Sequence, residues 1–166
     1  EGECVYAEAG VASPKVARFA ATHRLEGAEF LAGVPGTVGG ALAMNAGCYG
    51  SETWDTVVKV LTVSRTGTLR ERVPADFDIG YRHVGLRGAK LGEEEWFIAG
   101  WFRFRAGDER RARERIKELL SQRIATQPLS TNVPLGGTIT LQISVNGTPP
   151  LEYQWRLNGV NIPDAT

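Results

Sequence analysis

Cysteine and histidine are both scarce in this chain, which has two of each among 166 residues. The cysteines are Cys4 and Cys48, the histidines are His23 and His83, and the four do not have the spacing of metal ligands. Two cysteines do not make a disulfide framework either. We therefore expect no metal site, and we expect each cysteine to be a buried or half-exposed free thiol.

The sequence also lacks an excess of charge and a long apolar run. Its 19 basic and 19 acidic residues cancel, so no general attraction to nucleic acid or to an anionic membrane is expected. No apolar run approaches the roughly 20 residues of a transmembrane helix, and no signal segment opens the chain. Because the first residue is Glu1 rather than Met, we expect a fragment or a processed product. Hydrophobic residues at 42% are typical of a soluble globular chain.

Glycine is abundant in one place, residues 27–50, where it occupies seven of 24 positions. These are Gly27, Gly33, Gly36, Gly39, Gly40, Gly47 and Gly50. They flank Pro35 and Thr37 and surround an apolar stretch, residues 41–44, that is long enough for one or two helical turns. The pattern predicts a turn leading into a helix N-terminus, where free backbone N–H groups and the helix dipole favour an anion such as a phosphate.

Two interpretations of this segment stay open when only its residues are considered. It is not a Walker A loop, because no Gly-Lys-Ser/Thr follows, and the spacing from Gly33 does not fit a Rossmann fingerprint. The glycines are explained either by tight turns in a compact domain or by a nucleotide site. Because short glycine motifs have many false matches, the spacing by itself favours the turns.

The remaining sequence predicts a mixed α+β fold. Strands are predicted where apolar, β-branched and aromatic residues concentrate, at residues 4–9, 56–64, 68–73 and 96–104. A helix is predicted to begin at Ser13 and Pro14, with the Ser13 hydroxyl as its cap. A strongly charged helix, capped by Asp108, is predicted over residues 109–124.

The run EFLAGVPGTVGGALAMNAGCYGSE, residues 29–52, is similar to the central signature of the UDP-N-acetylenolpyruvoylglucosamine reductase family (MurB). Members are FAD-dependent reductases of peptidoglycan precursor synthesis. Later landmarks of the family follow in the same order: Tyr81-Arg82, Gly107-Asp108, Arg123 and Gln127-Pro128. The resemblance covers about residues 1–130. It implies a partial FAD-binding domain of the vanillyl-alcohol-oxidase, or PCMH, type.

The resemblance also implies a site for FAD and a sugar-nucleotide substrate, with NADPH as the reductant. In the family, reduced flavin passes hydride to an enolpyruvyl double bond, and a protein acid then supplies a proton. Arg82 matches the catalytic arginine and, with Tyr81, is expected to bind the substrate. The residues expected to bind FAD are Pro35, Gly36, Thr37, Gly39 and Gly40 at the phosphates, Asn45, Ala46, Gly47 and Tyr49 toward the flavin ring, and Ile98.

Other parts of the family pattern are absent from the sequence. The serine proton donor, a later glutamate and an earlier glycine-rich flavin loop have no counterpart, and Cys48 replaces the usual alanine. Whether the chain is an enzyme is therefore left open, and we expect it to be inactive as it stands. When the resemblance is set aside, the alternative interpretation of Arg82 is a surface arginine at the end of a loop, and that of Ile98 is an ordinary core residue.

After about residue 130 the sequence resembles the opening of a bacterial immunoglobulin-like domain. Residues 138–145 alternate apolar and polar like a sandwich strand, Trp155 matches the core tryptophan of the fold, and Asn158-Gly159 is a turn signal. We therefore divide the chain into a partial FAD-binding domain (1–106), the start of a substrate domain (107–130) and a short all-β immunoglobulin-like fragment (131–166).

The change of sequence pattern at about residue 130 suggests two alternatives to a reductase fragment. One is a binding or adhesion module whose role is defined by the tail. The other is a chimeric join of two unrelated pieces, without function as a unit. The two halves also imply different compartments, because the front part is cytoplasmic in its family whereas such tails are usually extracytoplasmic.

Overall fold

The computed structural model describes residues 2–121, 123–126, 144–146, 156–157 and 160–162. The chain falls into two compact units, Glu1–Leu119 and Leu120–Thr166, which we describe one at a time. The charged helix that was predicted to open a second domain packs within the first unit, because its Ala112 and Ile116 belong to the buried core of that unit.

The elements have the mixed composition that the sequence predicted. The strands are β1 Gly2–Glu8, β2 Leu25–Glu26, β3 Gly47–Cys48, β4 Ser51–Glu52, β5 Val57–Ser64, β6 Leu69–Arg72, β7 Phe77–Gly80, β8 His83–Leu86, β9 Glu95–Ala106, β10 Arg123–Thr126, β11 Ser144–Asn146, β12 Arg156–Leu157 and β13 Val160–Asn161. The α-helices are α1 Ser13–Thr22, α2 Val38–Ala43 and α3 Glu109–Ser121. Short 3-10 helices lie at Glu29–Gly33, Thr53–Asp55 and Pro74–Asp76.

An antiparallel sheet in the order β1-β9-β5-β6 organises the first unit, with β2 also paired to β9. β9 is central because it pairs with β1 on one side and β5 on the other. Helix α2 packs against β9 at Gly100, where an added Cβ would lie 3.4 Å from Leu42 Cδ1 and 2.8 Å from Phe102 Cζ. The missing side chain at Gly100 therefore lets the helix approach the sheet closely.

The cap predicted for α1 is wrong. Ala12 is the N-cap residue, no side chain caps the helix, and Ser13 is the first helical residue, with Pro14 in the first turn. Ser13 is fully buried on the same helix face as Val16. Its backbone N–H donates to the Gly36 carbonyl at 3.1 Å, and its hydroxyl has no hydrogen-bond partner in the described structure. The hydroxyl points inward with this face, so it does not reach the N–H groups of the first turn.

The charged helix α3 is shorter than predicted, since it ends at Ser121 and Ile124 lies in β10. Its start is as expected, because the Asp108 carboxylate accepts a hydrogen bond from the Arg111 backbone N–H at 2.9 Å. The predicted cap at Asp108 is therefore confirmed.

A buried carboxylate, Glu95, joins three strands at one end of the sheet. It is 1% exposed and accepts two hydrogen bonds from Arg72, both at 2.9 Å. Arg70 donates at 3.3 Å, and the Thr62 hydroxyl donates as well. Hydrogen bonding by the Arg72 guanidinium holds the pKa of Glu95 below its ordinary value. This cluster was not predicted from the sequence, although an acidic residue next to one predicted strand and two arginines on another are a signal for it.

In the second unit, β10 pairs with β11 and β12 pairs with β13, each antiparallel. Most residues behind the immunoglobulin-like interpretation, including Trp155 and the Asn158-Gly159 turn, lie outside the described residues. That interpretation therefore stays a prediction.

Several chemical features of the described part of the chain bear on the site. None of its helices is long and apolar enough to cross a membrane. Its His, Cys, Asp and Glu side chains form no group of three that could hold a metal ion. Both cysteines are free thiols; the expected burial is confirmed for Cys48, which is half-buried, and is wrong for Cys4, which is exposed on the edge strand β1.

Candidate functional site

Helix α2 separates the predicted site residues into two groups. Pro35, Gly36 and Thr37 are exposed in the loop before the helix, whereas Asn45 and Tyr49 follow it. With six residues the helix is about 9 Å long. The turn and short helix predicted from the glycine pattern are confirmed, and they hold the two groups at opposite ends of one element.

The N-terminal end of α2 is already hydrogen-bonded to the turn after β1. The Val38 N–H donates to the Val11 carbonyl at 2.8 Å, and the Gly39 N–H donates to the Ala9 carbonyl at 2.9 Å. The expectation that free helix N–H groups would receive a phosphate is therefore wrong for these two groups. A phosphate at this end would depend on the exposed loop backbone instead.

Two of the predicted cofactor-binding glycines are required by the packing of the protein itself. A Cβ at Gly39 would lie 2.9 Å from the Cβ of Ala9, and one at Gly47 would lie 2.6 Å from the Ser51 carbonyl oxygen. Neither distance is possible without movement of the backbone. Gly39 and Gly47 thus have an internal reason to be glycine, whatever they bind.

Gly36 and Gly40 differ because open space lies where their side chains would be. Gly36 has φ +88° and no atom within 4 Å of an added Cβ. Gly40 is exposed on α2, and its nearest neighbour is Thr37 Oγ1 at 4.0 Å. The absent side chains leave the backbone here accessible to a ligand.

Asn45 is 2% exposed at the other end of α2, with all of its amide hydrogens in use. Its Nδ2 donates to Glu52 Oε2 at 2.6 Å and to the Gly80 carbonyl at 3.2 Å, and its Oδ1 accepts the Trp54 N–H at 3.1 Å. An asparagine amide has two hydrogens to donate, so no donor remains for a cofactor. The side chain instead joins three segments of the protein.

The hairpin of β3 and β4 turns at Tyr49 and Gly50, which have φ +55° and +81°. Positive φ at both positions is a type I′ turn, where asparagine and glycine are usual. The Tyr49 ring covers Gly33, since a Cβ there would lie 2.6 Å from Tyr49 Cε2. Burial raises the pKa of the Cys48 thiol and of the Tyr49 hydroxyl above ordinary values of 9.0 and 10.0, so both groups are neutral at pH 7.

Tyr81 and Arg82 form the tip of the hairpin between β7 and β8. Tyr81 is 72% exposed, and the Arg82 guanidinium carbon lies 5.8 Å from the centre of its ring. The base of the hairpin is buried, because the Phe77 ring packs on Trp54 with 4.7 Å between ring centres. The expected catalytic arginine is therefore exposed, but it projects from an anchored base.

Ile98 occupies the extra position of a β-bulge in β9, because Leu61 pairs with Ala99 whereas Thr62 pairs with Phe97. Its carbonyl accepts the N–H of Ala9 at 2.6 Å, and Ala9 also receives the hydrogen bond from α2. Bulges are frequent beside active sites. Ala9 thus connects the Ile98 backbone to the N-terminal end of α2, and a role of Ile98 at a cofactor stays a prediction.

Backbone strain also concentrates in the predicted site. Four non-glycine residues in the described structure have positive φ, and three of them are Asn45, Tyr49 and Arg82, the fourth being Arg24. Positive φ is disfavoured for residues with a side chain, and strained residues cluster at functional sites. This coincidence was not visible in the sequence, and it favours a function for the three positions.

A cavity of about 700 Å³ lies beside Tyr49, bounded by Phe30 and by charged residues of α3. The other predicted site residues are not among the described residues that line it. This cavity therefore does not bring the predicted site together.

The segment after β4 contains contacts that sequence analysis missed. The Thr53 N–H and hydroxyl both donate to the Ala46 carbonyl, at 3.0 and 2.6 Å. The Trp54 indole N–H donates to the Leu42 carbonyl at 2.8 Å. Glu52 lies inside the quoted signature yet was given no role. The sequence did contain a signal for these contacts, because polar and aromatic residues follow directly after the glycine-rich turn.

Residues 1–72 match the family of the FAD binding domain. The matched stretch contains the turn after β1, the glycine loop, α2 and the β3–β4 hairpin, and it ends with β6. The class of fold that these residues share is therefore the FAD-binding domain, and the FAD-binding part of the predicted fold class is confirmed.

Within that class, the chain is similar to UDP-N-acetylenolpyruvoylglucosamine reductases. It is 60% identical to the reductase of Thiobacillus denitrificans over 153 residues, which are 92% of this chain and 44% of that protein. It is 53% identical to the reductase of Nitrosomonas eutropha over 173 residues, covering 99% of this chain and 50% of that protein. The predicted resemblance is confirmed, and the chain spans about half the length of these curated relatives.

A solved structure agrees on the fold. The reductase (MurB) from Thermus caldophilus aligns with a TM-score of 0.61 and 24% identity, over 81% of this chain and 50% of that one. Both sequence alignments extend past residue 130, where we placed the end of the resemblance. The immunoglobulin-like fragment is not shown by these comparisons, so it and the domain boundaries remain predictions.

Proposed function

We propose that this chain carries part of the FAD site and the catalytic arginine of a UDP-N-acetylenolpyruvoylglucosamine reductase. The observation that carries the proposal is the 60% identity to the Thiobacillus denitrificans reductase over 92% of the chain. Because the chain spans about half of that protein, the complete activity is assigned to a longer protein of which these residues form a part. Its proposed location is the cytoplasm.

The residues present fit FAD at both ends of α2. Gly36 and Gly40 leave backbone open at the N-terminal end, which suits close approach of a pyrophosphate. Ala46 and the strained turn at Tyr49 lie at the other end, which suits a planar ring system. We assign Pro35, Gly36, Thr37 and Gly40 to the phosphates, and Ala46, Gly47, Tyr49 and Ile98 to the flavin end. Gly39 supports this arrangement by packing on the turn after β1.

FAD, when bound and reduced by NADPH, supplies the hydride for the enolpyruvyl double bond. Arg82 is the residue of this chain that we expect to take part in the reaction. Its permanently charged guanidinium suits the substrate carboxylate and the enolate that develops next to it. In the described structure this guanidinium has no hydrogen bond or ion pair, and its central carbon lies 5.8 Å from the centre of the Tyr81 ring. It is therefore free to bind the substrate carboxylate, with Tyr81 beside it as a second substrate contact.

The test is a titration of the 166-residue protein with FAD, followed by flavin fluorescence. Gly40→Leu is the informative variant, because Gly40 is exposed and an added Cβ lies no closer than 4.0 Å to its nearest neighbour, Thr37 Oγ1. Gly36 is a poorer choice, since its φ of +88° strains any side chain. Lys117→Leu adds the same side chain to an exposed position of α3 and serves as the control.

We expect saturable binding to the wild type and to Lys117→Leu, and binding at least about tenfold weaker to Gly40→Leu, which corresponds to about 1.4 kcal/mol. Circular dichroism should show the same fold in all three proteins. Equal affinity in the three proteins would place FAD elsewhere. The absence of binding to the wild type would show that these residues do not suffice to hold FAD.

A further inference from the structure

We propose that Asn45 is a positioning residue for Arg82, acting through its hydrogen bond to the Gly80 carbonyl, and that Glu52 orients the Asn45 amide for this purpose. The proposal rests on the proposed function only in naming what Arg82 would bind. The hydrogen-bond geometry behind it is independent of FAD.

The Gly80 carbonyl is the last polar group of β7 before the Tyr81-Arg82 tip. The hydrogen bond from Asn45 Nδ2 joins residues 35 positions apart in the chain at 3.2 Å. The ring contacts of Phe77 at the hairpin base, with Trp54 and Phe97, are apolar and do not define an orientation as a hydrogen bond does. The tether from Asn45 therefore fixes the direction in which the tip leaves the site.

The three partners of Asn45 require an amide at this position. Glu52 and Gly80 each accept a hydrogen bond, and Trp54 donates one, so the position needs two donors and one acceptor. Asparagine supplies this set from one planar group. Asparagine also tolerates the φ of +42° found here better than most residues do. The residue type thus matches both the hydrogen bonds and the backbone.

Glu52 is itself held in place. Its backbone N–H donates to Asp55 Oδ2 at 2.9 Å, and its carboxylate accepts from Asn45 at 2.6 Å. A bond to an ionised acceptor is stronger than one between neutral groups. Glu52 therefore fixes one amide hydrogen of Asn45 and leaves the second aimed at Gly80.

The test separates the tether from general stability with two variants. Asn45→Asp keeps the size and the acceptor for Trp54 but places a carboxylate against Glu52, so both bonds from Nδ2 are lost. Asn45→Asp combined with Glu52→Gln restores a hydrogen bond between positions 45 and 52. In this double variant the Gln side chain at position 52 donates and the Asp side chain at position 45 accepts. The double variant does not restore the bond to Gly80, because aspartate has no hydrogen to donate.

The measurements are unfolding in urea and amide hydrogen exchange of peptides covering residues 77–86, both without FAD. We expect Asn45→Asp to be less stable than the wild type. We expect the double variant to regain only the part of the urea midpoint that the link to position 52 supplies, while its hairpin amides still exchange about fivefold faster than in the wild type, the factor for one hydrogen bond. Peptides from β1 should exchange as in the wild type. Recovery of both stability and hairpin protection in the double variant would overturn the proposal.

If the double variant does not fold, two single variants decide the matter. Asn45→Gly removes the amide at a φ that glycine accepts, whereas Glu52→Gln keeps an acceptor for Asn45 and leaves the Gly80 tether intact. Faster hairpin exchange in Asn45→Gly alone supports the tether, and equal exchange in both variants refutes it. Because hydrogen exchange is measured without FAD, its result can be interpreted even if the protein does not bind FAD.

Discussion

Trp54 closes the C-terminal end of α2 by donating its indole N–H to the Leu42 carbonyl at 2.8 Å. Helices end with carbonyl groups that lack partners within the helix, and here a side chain from a neighbouring segment satisfies one of them. The same Trp54 packs on Phe77 at the base of the β7–β8 hairpin. One residue therefore connects the helix at the centre of the proposed site to the hairpin that carries Arg82.

Replacement of Trp54 by phenylalanine tests this connection. The ring contact with Phe77 is largely kept, whereas the Leu42 carbonyl loses its donor inside the protein, so we expect a loss of about 1–2 kcal/mol in the free energy of unfolding. Urea denaturation measures it. Trp96→Phe is the control, because Trp96 is 38% exposed and should change stability by less than about 0.5 kcal/mol. Equal effects would argue against a special role for the indole N–H.

The adjacent glycines of α2 should respond to alanine in opposite ways. Gly40→Ala fills open space on a helix and should raise the free energy of unfolding by about 0.5–1 kcal/mol. Gly39→Ala should lower it, because the new methyl group would lie 2.9 Å from the Cβ of Ala9. Thermal unfolding of the two variants gives the comparison. Two changes of the same sign would contradict the packing described here.

Arg82 should be a site where function opposes stability. Its φ of +51° suits glycine, so Arg82→Gly is expected to stabilise the protein by up to about 1 kcal/mol. Arg87→Gly, at an exposed position without positive φ, should not stabilise it. Both effects are read from urea denaturation. A lower stability for Arg82→Gly would mean that the tip is not strained by its side chain.

The Glu95 cluster should make stability depend on pH. Because hydrogen bonding by Arg72 lowers the pKa of Glu95 below 4.5, the folded state binds the ionised form better than the unfolded state does. This contribution is present above pH 4.5 and is lost as the pH falls through the lower pKa of the folded state.

Glu95→Gln should therefore reduce the free energy of unfolding by about 2–3 kcal/mol at pH 7, because charge-assisted hydrogen bonds to two arginines are weakened. The difference from the wild type should shrink when urea denaturation is repeated at acid pH. Glu71→Gln is the control, since the pair of Glu71 with Lys59 is more exposed and contributes less. A difference between wild type and Glu95→Gln that stays constant with pH would exclude the linkage.

Local patterns predicted much of the first unit correctly. The long strands β5 and β9 followed from runs of apolar and β-branched residues, and the turn into α2 followed from the glycines. The cap of α1 was wrong because a hydroxyl caps only from the position before the first helical residue, and the helix begins at Ser13 itself, whose N–H bonds the Gly36 carbonyl. That hydrogen bond joins residues far apart in sequence, and no local pattern announces it.

The sequence by itself determined the similarity of this chain to the FAD-dependent reductases, because the signature at residues 29–52 is long and specific and its detection needs no coordinates. It also singled out Arg82. Only the tertiary structure decided which glycines leave backbone open to a ligand, since that depends on whether Ala9 or empty space faces each missing side chain. It likewise decided that Asn45 joins α2 to the Arg82 hairpin, because hydrogen bonds between distant segments form only when folding brings their partners together.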